Sequence, residues 1–236
     1  MDDQPLLPRY ADGNVRGIMP ALLAPGSALP GWVPAVVTGA RAVVVLVLDG
    51  LGWEQLQART ALAPTIAAME GAPITTVAPS TTATALTSIT TGLTPGEHGI
   101  VGYRMEMQGE VINTLRWWTE RGDARRTVDP TRVQPVVSKA DLEHTAFTEA
   151  HLRGSRPRGW RAPSSIAPQI AELIDAGERV VYAYSDGVDK IAHARGFGPY
   201  YDAELRFADA LVAEVLAHLP DDVALLGPAL QALVGG

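Results

Sequence analysis

The residues able to do chemistry fall in three places along the chain. Pro79-Ser80-Thr81-Thr82 places hydroxyls ahead of Ala83, Leu86 and Ile89/Thr90, one apolar face that closes at Gly92. This spacing predicts a buried helix from about Thr82 to Thr91 with Ser80 or Thr81 as its cap. Hydroxyls in a first helical turn stand beside unpaired N–H groups and a positive dipole end, a setting suited to binding or attacking an anion. The same residues also suit the plainer task of capping a packed helix. Asp49 ends the apolar run Val43-Val44-Val45-Leu46-Val47-Leu48. Such a run reads as a strand buried on both faces of a parallel sheet, whose carboxyl end is where open α/β sheets keep ligands. Asp189 and His193 are four residues apart, so on a helix they share a face.

The elements that must position these groups alternate. Arg41–Leu48 reads as a strand, Leu51–Ala58 as a helix, and Pro64 opens a further turn that stops at Gly71. Pro73–Val77 reads as a short strand leading into the hydroxyl turn. Later, Ser164 or Ser165 caps a helix with Ile166, Ile170, Leu173 and Ile174 inward, ended by Gly177. Val180–Tyr184 reads as a buried strand, with Asp186 and Asp189 just past its end. Tyr201–Leu219 is amphipathic, with Leu205, Ala208, Val212, Val215, Leu216 and Leu219 inward, and Val223–Leu226 is a last short strand. The expected fold class is α/β: a doubly wound, mostly parallel sheet with helices on both faces and an inserted cap segment. Residues 1–40, rich in proline, read as an irregular lead-in with one helical turn near Ile18–Leu23 and a solvated loop around Asp12 and Asn14. Residues 41–102 and 162–236 form the expected core, and 103–161 the candidate cap.

Composition narrows the function. Of 236 residues, 47% are apolar, enough for a sizeable core, and the net charge is −7, which argues against nucleic acid as the main partner. The absence of cysteine excludes disulfides, thiolate metal sites and a cysteine nucleophile. No basic stretch followed by an apolar core opens the chain, and no run approaches the roughly 20 apolar residues of a membrane span, so the expectation is a soluble cytoplasmic protein.

Together, the strand ending in Asp49-Gly50, the turn Pro79-Ser80-Thr81-Thr82, the stretch Thr91-Gly92-Leu93-Thr94-Pro95-Gly96-Glu97-His98-Gly99-Ile100, and Asp189-x-x-x-His193 followed by Gly196 and Gly198-Pro199 resemble the alkaline phosphatase superfamily. The resemblance is to its nucleotide pyrophosphatase/phosphodiesterase branch and spans roughly residues 40–226. It implies a metal-dependent hydrolase of phosphodiester or nucleotide pyrophosphate bonds, acting on a small phosphate-ester or nucleotide substrate. The implied cofactors are two divalent metal ions, zinc or else manganese, about 4 Å apart. Asp49 and Thr82 would lie on one ion, Asp189 and His193 on the other. Thr82 matches the nucleophile, with Thr81 one residue away as the alternative; its oxygen would attack phosphorus, and water would release the resulting phospho-threonine. His98 would fix the turn after the nucleophile helix, and Asp186 would support the ligands from behind. The absence of the Cys-x-Pro-x-Arg pattern sets sulfatases aside, while phosphomonoesterase, phosphonate-cleaving and phosphoglycerate-mutase-like activities stay open.

The chain departs from the family pattern in two places. Ala85 stands where some relatives carry a phosphate-holding Asn. No Asp, Glu or His follows Asp222, where an Asp-His-Gly motif and a final histidine are expected. Each ion would then keep two protein ligands. The leading expectation is a fragment or frameshifted product of a family enzyme, with an active variant using other ligands and a non-catalytic anion-binding relative as alternatives. An uncovered sheet edge would favour homo-oligomers. Within the cap, Trp117 and Trp118 suit either stacking on an aromatic leaving group or a small core. His144 and His151 read as a polar helix face, and Arg153, Arg156, Arg158 and Arg161 as a solvated loop.

Overall fold

The computed structural model describes residues 6–24, 28–107, 109–115, 118–119, 122–123, 135–139, 155–227 and 229–230. Its centre is β1 (Ala42–Asp49), in which every residue is buried. A small antiparallel sheet follows further on, made of β2 (Arg104–Met107), β3 (Glu110–Asn113), β4 (Trp118–Thr119) and β5 (Gly122–Asp123). β6 (Pro135–Lys139), β7 (Arg156–Trp160), β8 (Val180–Ser185), β9 (Val223–Leu226) and β10 (Ala229–Leu230) join β1 in the main sheet. That sheet runs β10-β1-β8-β6-β7, all parallel, with β9 beside the first half of β1.

The helices are α1 (Ile18–Leu23), α2 (Trp53–Gln57), α3 (Pro64–Ala67), α4 (Thr82–Thr91), α5 (Pro95–His98), α6 (Ile166–Asp175), α7 (Gly187–Arg195) and α8 (Pro199–His218). Side chains alternate along β1, so its two faces meet different helices. Val44, Leu46 and Leu48 pack with Ile166 and Ile170 of α6 and Leu205 and Val212 of α8. Val45 and Val47 pack with Tyr182 and Tyr184 of β8 and with Ala83, Leu86 and Ile89 of α4. Each fully buried Leu or Ile in these layers contributes about 1.5–3 kcal/mol from area removed from water. Helices on both faces of a parallel sheet make this the expected α/β architecture.

α4 spans the predicted residues. It is buried along Ala83–Thr90, so its threonine hydroxyls have no water and turn back onto the helix: Thr87 to the Ala83 carbonyl at 2.7 Å, Thr90 to Leu86 at 2.9 Å. It stops at Gly92, whose φ of +75° closes the last turn through an amide hydrogen bond to the Ser88 carbonyl, with Pro20 packed where a side chain would stand.

Several sequence expectations need correction. Pro73–Val77 is not a strand of the sheet. Thr75 forms a single parallel bridge with Asn14, because its N–H donates to the Gly13 carbonyl and its C=O accepts from Val15. Asn14 is accordingly buried rather than solvated, its amide donating to the Thr75 hydroxyl at 3.0 Å and the Thr76 carbonyl at 2.9 Å. The helix from Pro64 ends at Ala67, short of Gly71. Ser165 holds the N-cap position of α6, but its hydroxyl makes no capping bond and donates instead to the Ala162 carbonyl, closing the 3-10 turn Pro163–Ser165. Leu216 is exposed, not inward. Two strands of segment 103–161, β6 and β7, pair in the main sheet, while β2–β5 form the separate small one. Arg156 sits on β7 and ion-pairs with Glu178 rather than lying in a loop. The side chains of Trp117 and Trp118, His144, His151 and Arg153 lie outside the described residues.

Candidate active site

β1 carries Asp49 to the carboxyl edge of the sheet, where the chain turns sharply at Gly50 with φ +81°. The N–H and Cα of Asp189, in the first turn of α7, lie directly against Gly50 on the side where a Cβ would project. Only glycine accepts both the left-handed turn and that close approach. The carbonyl of Gly50 accepts a hydrogen bond from the Tyr201 hydroxyl at 3.1 Å, which ties the turn to α8. Tyr201 in turn packs under the Arg59 guanidinium, itself bonded to Asp202 at 2.8 Å. Two acids far apart in sequence are thus brought together through backbone contact.

The Asp49 carboxylate is 3% exposed. Burial, with Asp189 adding to it, raises its pKa to about 7; hydrogen bonds from Tyr184, Thr82 and the Gly50 amide oppose the rise. The Tyr184 hydroxyl donates to Oδ2 of Asp49 at 2.7 Å. Burial also raises Asp189, and so does Asp186, while His193 and Lys190 lower it. His193 Nε2 lies 3.4 Å from Asp189 Oδ1, on the same face of α7, with its ring 81% exposed. Asp186 is engaged by Lys190 at 2.5 Å.

Thr82 is the first residue of α4, half-buried, with its hydroxyl close enough to the Asp49 carboxylate to favour the charged form. Thr81, one residue earlier, is exposed and shares a 3.0 Å hydrogen bond with the Thr84 hydroxyl. No side chain caps the first turn of α4, so its leading amides face the same edge. Ala85 is buried in the core and supplies no polar contact. The structure therefore brings Asp49, Thr82 and Asp189 together, with His193 beside Asp189.

At the other end of α4, the Ile100 amide donates to His98 Nδ1 at 3.0 Å, which leaves Nε2–H to donate to the Ser88 hydroxyl at 2.8 Å. Burial pushes this imidazole down to about 4. His98 is a neutral brace between α4 and the turn after α5, away from the acids.

A divalent cation suits this donor set in charge and type: a buried carboxylate with a second acid nearby, an imidazole, and a hydroxyl. In number the set is thin, since among the described residues no group of three or more His, Cys, Asp and Glu side chains is assembled. A separate, largely apolar cavity of about 680 Å³ is bounded by Trp32, Leu46, Leu48, Trp53, Met69 and Leu226. It touches Ser80 and Thr81, but Asp49, Thr82 and Asp189 do not line it.

Sequence reasoning missed Tyr184 and Tyr201. The alternation of β8 places Tyr182 and Tyr184 on one face, but which face, and opposite which residue of β1, follows only from the register pairing Val47 with Tyr184.

Comparison with known proteins agrees with this architecture. The family model for type I phosphodiesterase / nucleotide pyrophosphatase matches residues 43–226. Among solved structures, murine ectonucleotide pyrophosphatase / phosphodiesterase 5, in an inactive threonine-to-alanine form in complex with AMP, is similar with a TM-score of 0.57 at 16% identity. The match covers 79% of this chain and 55% of that one, so the chain spans little more than half the length of that relative. No curated protein sequence matches it. Among the described residues, no helix is long and apolar enough to cross a membrane.

Proposed function

We propose the following for this chain, which belongs to the type I phosphodiesterase / nucleotide pyrophosphatase family: it hydrolyses phosphodiester or nucleotide pyrophosphate bonds, with Thr82 as nucleophile. The observation that carries the reading is the placement of the Thr82 hydroxyl, at the open first turn of α4, next to the buried Asp49 carboxylate, which in turn has Asp189 beside it. The AMP bound by the murine relative supports a small nucleotide substrate.

Asp49 stands beside the Thr82 hydroxyl and is the group that would orient it toward the phosphate. The first-turn amides of α4 receive non-bridging oxygens of the phosphate. Thr82 Oγ bonds to phosphorus as the bond to the leaving oxygen breaks, its proton passing to that oxygen; water then cleaves the Thr82 ester, its OH ending on phosphorus and its proton restoring the Thr82 hydroxyl. Asp49, Asp189 and His193 are the groups that would hold divalent ions, zinc or manganese. When bound, such ions supply the positive charge that stabilises the attacking and leaving oxygens.

A second reading is favoured by the shortage of ligands among the described residues: a non-catalytic relative that holds an anion at the α4 terminus without turnover. Acid-quenched mass spectrometry of the metal-loaded chain, mixed with a nitrophenyl diester of a nucleotide, separates the two. A nucleotidyl adduct on the peptide containing Thr82 is the result expected of the enzyme. AMP binding by calorimetry with neither adduct nor nitrophenol release would establish the second reading.

A further inference from the structure

We infer that Tyr184 is a positioning residue, whose hydroxyl sets the orientation in which Asp49 meets Thr82 and a bound divalent ion. The inference rests on the reading of Asp49 as a metal-holding residue. In the register of the parallel pair, Tyr184 lies beside Val47, and Asp49 is two residues further along on the same face. The phenol spans that step and donates to Oδ2 at 2.7 Å. Its ring is held in the layer formed with Val45, Val47, Leu86 and Ile89 and is 9% exposed, so the donor has little freedom to move. A carboxylate with one oxygen fixed by a rigid donor cannot rotate freely, and its other lone pairs keep one direction. Donors that orient ligating carboxylates in this way typically govern metal affinity by about 10–100-fold.

The same strand supplies its own control. Tyr182 is two residues earlier, on the same face and 1% exposed, yet its hydroxyl has no hydrogen-bond partner. Removing that hydroxyl changes the same layer without touching Asp49.

The test is zinc and manganese affinity, by competition with a chelating dye, for the wild-type chain, Tyr184→Phe and Tyr182→Phe, with circular dichroism confirming the fold of each. The dissociation constant of Tyr184→Phe rises about 10-fold or more, while that of Tyr182→Phe stays within about twofold of wild type. Equal affinity in all three, or equal weakening in both variants, overturns the assignment. No metal binding by the wild-type chain would instead remove the functional reading on which it rests, and the inference with it. Should Tyr184→Phe fail to fold, a crystal structure of the zinc-loaded wild type decides: Tyr184 stays on Asp49 Oδ2 while the ion takes the other oxygen, and an ion that displaces the phenol overturns the inference.

Discussion

Asp189 sits with its backbone against the α-carbon of Gly50, at a turn whose φ is +81°. One contact therefore sets how close Asp49 comes to Asp189, and it tolerates no side chain. Gly50→Ala adds the cost of a left-handed L-residue to that of a backbone clash, about 2–4 kcal/mol together. Urea denaturation of the metal-free variant measures it. A loss below about 0.5 kcal/mol would mean that the turn relaxes and does not fix the two acids.

The two adjacent threonines have opposite expected phenotypes. Thr82 stands beside Asp49, whereas the Thr81 hydroxyl is taken up by Thr84. Thr82→Ala loses nucleotide diester hydrolysis by about 10³-fold or more, and Thr81→Ala stays within about 10-fold, the cost of a weakened helix start. Steady-state kinetics of both variants would expose a one-residue slip if the effects were reversed.

His98 gives the stability a defined pH dependence. Its folded pKa lies near 4, below the usual 6.5, because the half-buried ring resists charge. Between those values the unfolded chain binds more protons than the folded one. Stability from this group is thus full above about pH 6.5 and is lost as pH falls toward 4. After discounting for solvent access to the ring, the loss is on the order of 1–2 kcal/mol. His98→Gln lacks the titration, so the stability gap between wild type and variant narrows by that amount on going from neutral pH to about 4. A gap that stays constant would show that the ring is charged without penalty in the folded state.

Much of this was legible because local and long-range signals agreed. The unbroken apolar run before Asp49 has no good place except the middle of a parallel sheet, and α4 begins and ends where its hydroxyls and Gly92 predict. Pro73–Val77 shows the limit: its β-branched residues suit a strand, but Gly13 and Val15 satisfied Thr75 first, through a contact more than sixty residues away in sequence. The site was legible in type but not in arrangement. Asp49, Thr82 (with Thr81 as alternative), Asp189 and His193 were named through the family resemblance that their motifs carry, whereas the neighbouring groups Tyr184 and Tyr201 depend on strand register and helix packing. Leu216 was misplaced because the buried stripe runs through Leu211, Val212, Val215 and Leu219, and Leu216, one step round the helix from Val215, falls outside it.

The most direct measurement of the central claim is hydrolysis of a nitrophenyl nucleotide diester by this chain, after chelator treatment and then with zinc or manganese restored. The account predicts no turnover without metal, recovery on adding it, and no recovery in Thr82→Ala. Turnover that survives chelation, or metal-dependent turnover undiminished in Thr82→Ala, would contradict it.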